Sequence, residues 1–203
     1  MTRILLLAAF AAVAALAPLT PAAALDLNPL SAIKGAVEAA VEDRSAGDIA
    51  TDAKIKTKIV AGVIDKMGTD VISINADVYE QDVMLTGIVE KAAQKAEAEK
   101  LTRAVEGVKK VYNEIMVKKP VEKEKGAVEG FVDDTVIETK INGLLLDAKG
   151  VNVTNFRWRS IEGHVFLFGR ALSNDEKTKA TKVVQEIKGV ASVKNLAKVK
   201  PKS

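Results

Sequence analysis

Aromatic and arginine side chains concentrate in one short stretch of the C-terminal half of the chain. The 203-residue sequence has only five Phe, two Tyr and one Trp. Trp158, Phe166 and Phe168 nevertheless lie close together, with Arg157 and Arg159 among them. Arginine beside an aromatic ring offers a cation, hydrogen-bond donors and apolar area at one place. This combination is suited to contact with an anionic membrane surface or with a partner protein.

Residues that could support catalysis or bind a metal are scarce. His164 is the only histidine, and the absence of cysteine excludes disulfides, thiolate metal sites and a cysteine nucleophile. Asp77, Glu80 and Asp82 could suggest a cation site, but they lack the spacing of a calcium-binding loop. A solvated hairpin end is the simpler interpretation. The sequence therefore predicts a protein that is not an enzyme and that uses no metal, cofactor or small-molecule substrate.

The elements that carry these residues belong to an internal repeat. A shift of 82 residues aligns positions 52–117 with 134–199 without a gap, and 20 of the 66 aligned positions are identical. A gapless register over a whole domain is hard to obtain by chance. We infer that the chain contains two copies of one module.

Each copy has the pattern helix, strand, strand, helix, strand. Apolar residues recur at helical spacing in the first and fourth segments and alternate in the others. Asp52 and Asp134 stand where helix N-caps are expected. The predicted helices are Asp52–Ile64 and Lys91–Glu106 in the first copy, and Asp134–Leu146 and Asn174–Lys188 in the second. The predicted strands are Val71–Val78, Val83–Gly87 and Val108–Val117, with counterparts 82 residues later.

This order predicts an α+β fold of two tandem αββαβ modules. The hairpin makes the first two strands antiparallel, and the second helix is a crossover that brings the third strand in parallel. Each module would then be a three-stranded mixed sheet with two helices on one face. The other sheet face stays open to water or to a partner.

The alternation within the second hairpin assigns each side chain to one sheet face. The side chains predicted to face the helices are Phe156, Trp158, Val165 and Leu167, and those predicted on the open face are Arg157, Arg159, Phe166 and Phe168. This open face either contacts lipid or protein, or packs on the first copy. The sequence leaves both alternatives open.

Four repeated glycines are assigned to folding. Gly87 and Gly169 end the second strand, where the missing Cβ lets the chain turn toward the helix. Gly107 and Gly189 are predicted to end the second helix of each copy.

The repeated motifs resemble the BON domain. They are Asp-x-x-Ile-x-x-x-Ile from Asp52, Val-x-Leu-x-Gly over Val83–Gly87, and Gly-Val-x-x-Val-x-Asn-x-x-x-Val over Gly107–Val117, each repeated 82 residues later. The resemblance covers about two thirds of the chain, and these motifs identify a fold better than a function. It implies a dual-BON protein of the bacterial envelope. Some members of the family are associated with envelope integrity and with binding of anionic phospholipid. This chain differs from lipoprotein members because it has no lipidated cysteine.

The N-terminus reads as a targeting segment. Arg3 precedes an uncharged apolar run over residues 4–17, and Ala22 and Ala24 fit the small-x-small cleavage pattern. We therefore expect a signal peptide over residues 1–24 and a periplasmic mature protein. The further predicted divisions are an N-terminal segment (25–49) with an amphipathic helix over Ser31–Arg44, a first BON domain (50–118), a linker (119–132), a second BON domain (133–200) and a tail (201–203).

Charge is divided unevenly between the two halves. Residues 25–132 carry 16 basic and 19 acidic side chains, a balance of −3, whereas residues 133–203 carry 13 and 8, a balance of +5. We predict that the second module binds anionic phospholipid at a membrane surface in an envelope-maintenance or stress role. The alternative is a periplasmic protein-interaction or chaperone-like module that binds envelope proteins and not lipid. Export and mixed charge argue against nucleic acid.

Overall fold

The chain folds into two α+β modules, as the repeat predicts. The computed structural model describes residues 42–68, 73–118 and 133–201. The predicted signal peptide, most of the predicted Ser31–Arg44 helix and the linker lie outside the described residues. The elements are α1 (Ala46–Met67), β1 (Asn75–Tyr79), β2 (Asp82–Thr86), β3 (Ile88–Val89), α2 (Ala92–Arg103), β4 (Lys110–Asn113), β5 (Met116–Val117), α3 (Asp134–Asp147), a 3₁₀ turn (Val153–Asn155), β6 (Phe156–Ile161), β7 (His164–Ala171), α4 (Asn174–Gln185), β8 (Ser192–Asn195) and β9 (Lys198–Val199).

The predicted strand topology is confirmed in both modules. Strand β2 pairs antiparallel with β1 and parallel with β4, and β7 pairs in the same way with β6 and β8. The third strand of each module is not continuous, contrary to the prediction. The side chain of Asn113 accepts a hydrogen bond from the Ile115 amide at 3.3 Å, and Asn195 does the same for Ala197 at 3.0 Å. Each asparagine thus satisfies a backbone amide at the break, while the amides of Glu114 and Leu196 still donate to the second strand.

Each module has its own core between its helices and one face of its sheet. Ile55 and Ile59 of α1 pack with Val83 and Leu85 of β2. The second module repeats this arrangement with Ile137, Ile141, Val165 and Leu167, and adds Phe156 and Trp158. The inward orientation predicted for Phe156 and Trp158 is therefore confirmed.

Asp52 and Asp134 are not N-caps, contrary to the prediction. Helix α1 begins six residues before Asp52 with Ser45 as its N-cap, and Asp133 caps α3. The Asp52 carboxylate instead accepts the amides of Glu80 and Gln81 at 2.8 Å, in the tight turn of the first hairpin. Asp134 binds the equivalent amides of the second hairpin. Each aspartate thus ties the first helix to a turn whose residues have positive φ.

Gly87 and Gly169 are required by a close approach of two backbones. Gly169 lies inside β7 and does not end it, contrary to the prediction. Its φ is +108°, and a Cβ there would stand 2.2 Å from the carbonyl oxygen of Asn155. Gly87 has φ of +130° and the same relation to Ser73, at 2.3 Å. Gly107 and Gly189 also have positive φ, but they lie in turns after α2 and α4 have ended.

Candidate functional site

The two sheets pack face to face through a cluster that we call the seam. Tyr79 and Met84 of the first module and Phe166 and Phe168 of the second are its buried apolar members. Tyr112 joins them, with its ring centroid 5.8 Å from that of Phe168 at an interplanar angle of 68°. Because each module keeps its helices on the far side of its sheet, the molecule has four layers, α/β/β/α.

The open face predicted for the second module is therefore closed by the first. Phe166 is 8% exposed and Phe168 2%. Their predicted direction away from the helices is right. The period of a strand tells which face a side chain projects from and not what lies opposite. Of the two alternatives for this face, the structure has the packing on the first copy.

A buried ion pair lies in the middle of the seam. Arg159 donates two hydrogen bonds to Asp77, from Nε to Oδ2 at 2.8 Å and from a terminal nitrogen to Oδ1 at 3.1 Å. The two residues are equivalent in the two copies, since their numbers differ by 82. Arg159 is 15% exposed at its side chain, so it packs against the first module and does not lie in water. The bidentate pair therefore joins equivalent outward positions of the two sheets across the seam.

The ion pair makes seam stability dependent on pH. Burial opposes ionisation of Asp77, but the charges of Arg159 and Lys56 outweigh it and hold the pKa of Asp77 at about 2, below its ordinary 3.8. Ionised Asp77 therefore stabilises the folded protein above about pH 4, and this contribution of about 2 kcal/mol is lost as the pH falls toward 2.

We expect the difference in unfolding free energy between wild type and Asp77→Asn to decrease as the pH falls from about 4 toward 2. Urea titrations at closely spaced pH values measure that difference. A difference that stays constant from pH 5 to about 2 would contradict the assignment.

Arg157 also lies in the seam rather than in water. Its side chain is 17% exposed and forms an ion pair with Glu42, which precedes the first module. The Arg157 guanidinium lies 5.4 Å from the centroid of the Tyr79 ring, and Arg44 lies over the same ring at 3.9 Å. Burial raises the pKa of Tyr79 to about 12, so its hydroxyl keeps its proton. This hydroxyl is 3.2 Å from Asn155 Oδ1, to which it donates a hydrogen bond.

Further ion pairs surround the seam, and in each the second module supplies the cation. Arg170 pairs with Glu80 at 3.0 Å, Lys194 with Glu114 at 2.7 Å and Lys200 with Glu80 at 3.2 Å, and Lys198 pairs with Asp82. The interpretation of Asp77, Glu80 and Asp82 as a solvated hairpin end is wrong, because all three receive cations of the second module. The charge balances of −3 and +5 thus reflect, in part, two complementary faces.

The first-module half of the seam was not identified from the sequence. Tyr79, Met84 and Tyr112 carry no motif, and Glu42 was assigned to a predicted helix that residues 42–44 do not adopt. One feature of the sequence nevertheless indicates that the two outward faces could pair. The 82-residue register places Asp77 opposite Arg159 in the alignment of copies, which is a charge reversal at one outward strand position.

Exposed apolar side chains also occur on α3, away from the seam. Six large apolar side chains are exposed in the described part of the chain, and three of them lie on this helix. Leu146 is 68% exposed, and Val136 and Leu144 are 45% each. Lys140 is exposed between the latter two, four residues from each. Helix α1 has fewer such side chains, since Lys54 and Gly62 occupy the positions of Val136 and Leu144.

Side chains suited to metal binding or catalysis are few in residues 42–68, 73–118 and 133–201. No cluster of three or more potential metal ligands occurs there. His164 begins β7, with Nδ1 2.7 Å from the Ser192 hydroxyl. Within the same ranges no helix has both the length and the apolar character needed to cross a membrane.

Comparison with known proteins shows which family both modules match. The BON domain matches residues 51–119 and 133–201. The chain is 30% identical over 154 residues to osmotically-inducible protein Y of Escherichia coli, covering 76% of this chain and 75% of that protein. It is 29% identical to a 21 kDa hemolysin of Actinobacillus pleuropneumoniae, covering 75% and 76%. It is 28% identical to the outer membrane lipoprotein DolP of Haemophilus influenzae, over 59% of each chain.

Proposed function

We propose, since the chain belongs to the BON domain family, that it is a non-enzymatic periplasmic protein of envelope maintenance and stress. We place its binding activity on the second module, which attaches to anionic phospholipid at a membrane surface. The relatives named for osmotic induction and for the outer membrane support an envelope role. The observation that carries the lipid assignment is the exposed apolar side of α3.

The binding surface differs from the one first expected. Arg157, Arg159, Phe166 and Phe168 lie in the seam, and Trp158 lies in the core of the second module. The outer side of α3 takes their place in the proposal. Helix α3 lies on the layer farthest from the first module, so nothing in the described part of the chain covers Val136 or Leu146.

The chemistry of this side of α3 suits a membrane interface. A helix in the interface plane inserts its apolar residues to the level of the acyl chains, while lysines reach the headgroups. Val136 and Leu146, which share the side of the helix opposite the buried stripe, would provide the inserted area, and Lys140 and Lys149 the contact with acidic headgroups. Each lysine contributes about 1 kcal/mol near an acidic bilayer, and salt screens this contribution. The expected attachment is weak, reversible and salt-sensitive.

Vesicle co-sedimentation tests the proposal. We expect binding to vesicles rich in phosphatidylglycerol, weaker binding as NaCl is raised, and little binding to phosphatidylcholine. Val136→Ser with Leu146→Ser should reduce binding to the anionic vesicles about tenfold or more, because two apolar side chains no longer insert. The fold should be unaffected, since both side chains are exposed.

Ile64→Ser is the matched control. Ile64 occupies the position of Leu146 in the first module and is also exposed. Its replacement should leave vesicle binding unchanged. If wild type binds no vesicles at any salt concentration, the lipid assignment fails, and the apolar side of α3 is then a docking surface for an envelope protein.

A further inference from the structure

We propose that the second module carries a binding site for an acidic, extended peptide segment, and that this chain fills the site in cis with Glu42 and Asp43. The filled site acts as a latch that holds the two modules face to face. Glu42 and Asp43 precede α1 and contact residues more than a hundred positions later in the chain.

Asp43 is bound by both its side chain and its backbone. Its carboxylate accepts hydrogen bonds from the Nδ2 atoms of Asn152 at 2.7 Å and Asn155 at 3.2 Å. Its amide donates to Asn155 Oδ1 at 3.2 Å, and its carbonyl accepts from a terminal nitrogen of Arg170 at 2.7 Å. Backbone contacts of this kind recognise an extended segment, and the two amide side chains select a carboxylate at this position.

Glu42 joins Arg44, in the segment before the first module, to Arg157 of the second module. Its carboxylate pairs with Arg44 through one oxygen and with Arg157 through the other. The Glu42 side chain is 2% exposed and that of Arg44 4%. Both arginines lie over the ring of Tyr79. A carboxylate this deeply buried is retained only with such partners, so the site requires an acidic residue.

The latch is also connected to the first hairpin of the first module through Arg44. Arg44 also pairs with Asp52, the residue that holds the turn of the first hairpin. In the second module the equivalent Asp134 accepts from the Ser160 hydroxyl at 2.6 Å instead. The sequence has Gly126 at the position equivalent to Arg44. The arginine is therefore specific to the first copy, where it connects the latch to the hairpin.

The latch lies outside both domains as the family defines them. The BON match begins at residue 51, after Glu42–Arg44. Two BON domains alone would lack the ion pair of Arg157 and the contacts of Asn152 with Asp43. We infer that residues 42–44 are a third component of the seam, and that their release exposes Tyr79, Phe166 and Phe168.

Spin-label distance measurements on the full chain test this inference. The chain has no cysteine, so Lys58→Cys and Lys140→Cys place two labels on the outer helices without background. We expect one narrow distance distribution in the parent protein. Glu42→Gln with Asp43→Asn should add a longer, broader population and raise the fraction of separated modules about tenfold or more, because Arg44 and Arg157 lose their shared carboxylate.

Two further variants distinguish the latch from the other contacts of the seam. Asn152→Ala removes a contact of Asp43 from the other side of the site without changing a charge, and it should also increase the separated population. Glu114→Gln removes one peripheral ion pair of the seam, and it should leave the distribution narrow. Hydrogen exchange in β2 and β7 should stay slow in all variants if the modules remain folded. An unchanged distribution in both latch variants, or equal opening in Glu114→Gln, would overturn the proposal.

Discussion

Arg159→Glu is expected to separate or unfold the two modules. The substitution places a carboxylate against Asp77 inside the seam, where the arginine now donates two hydrogen bonds. Loss of one partner from a buried ion pair typically costs about 3–5 kcal/mol, and a charge reversal adds repulsion to that loss. We therefore expect a decrease of about 4 kcal/mol or more in the free energy of unfolding, measured by urea denaturation.

A charge swap tests the origin of this effect. Asp77→Arg combined with Arg159→Asp restores an ion pair between equivalent positions of the two copies. It should recover more than half of the lost stability, and a double-mutant cycle measures the coupling. Lys194→Glu serves as a control, since Lys194 pairs with Glu114 at the edge of the seam and is 56% exposed. If the control costs as much as Arg159→Glu, the seam depends on overall charge and not on the central pair.

Gly169→Ala is expected to destabilise the second module by about 3 kcal/mol or more. The new Cβ would stand 2.2 Å from the carbonyl oxygen of Asn155, and the backbone at Gly169 has a positive φ that other residues adopt only with strain. Asn155 is also a member of the seam, through Tyr79 and Asp43. The damage should therefore extend to the contact between modules. Thermal and urea unfolding measure the loss.

Gly150→Ala separates the two causes. Gly150 has φ of +80°, but nothing lies within 4 Å of the Cβ that would be added. Only the conformational strain applies there, so we expect a loss of about 1 kcal/mol. Equal losses at Gly150 and Gly169 would show that the close approach of the backbones is unimportant.

The fold of each module could be predicted because its signals are local and occur twice. Alternation identified the faces of the hairpin, so Leu167 was assigned correctly to the core. Helical spacing placed Ile137, Ile141 and Leu145 on one buried stripe. The order of elements predicted the parallel third strand, since a helical crossover rarely connects strands otherwise.

The partners of outward residues could not be predicted in the same way. The period of a strand places Arg159 and Phe166 on one face, but it carries no information on what packs there. The same limit applies to Asp52, whose position near the start of an apolar stripe is typical of an N-cap. Its actual partners are amides 28 and 29 residues away, in a hairpin turn.

Local sequence patterns predict two α+β modules, the inward and outward side chains of the second hairpin, and opposite charge balances in the two halves. They do not predict that the outward faces meet, that Asp77 and Arg159 form the central pair, or that Glu42–Arg44 closes the seam, and these features emerge from the packing of the modules. The physical reason is that secondary structure follows from local periodicity and backbone hydrogen bonding. The pairing of two faces depends instead on shape and charge brought together from residues about 80 to 130 positions apart.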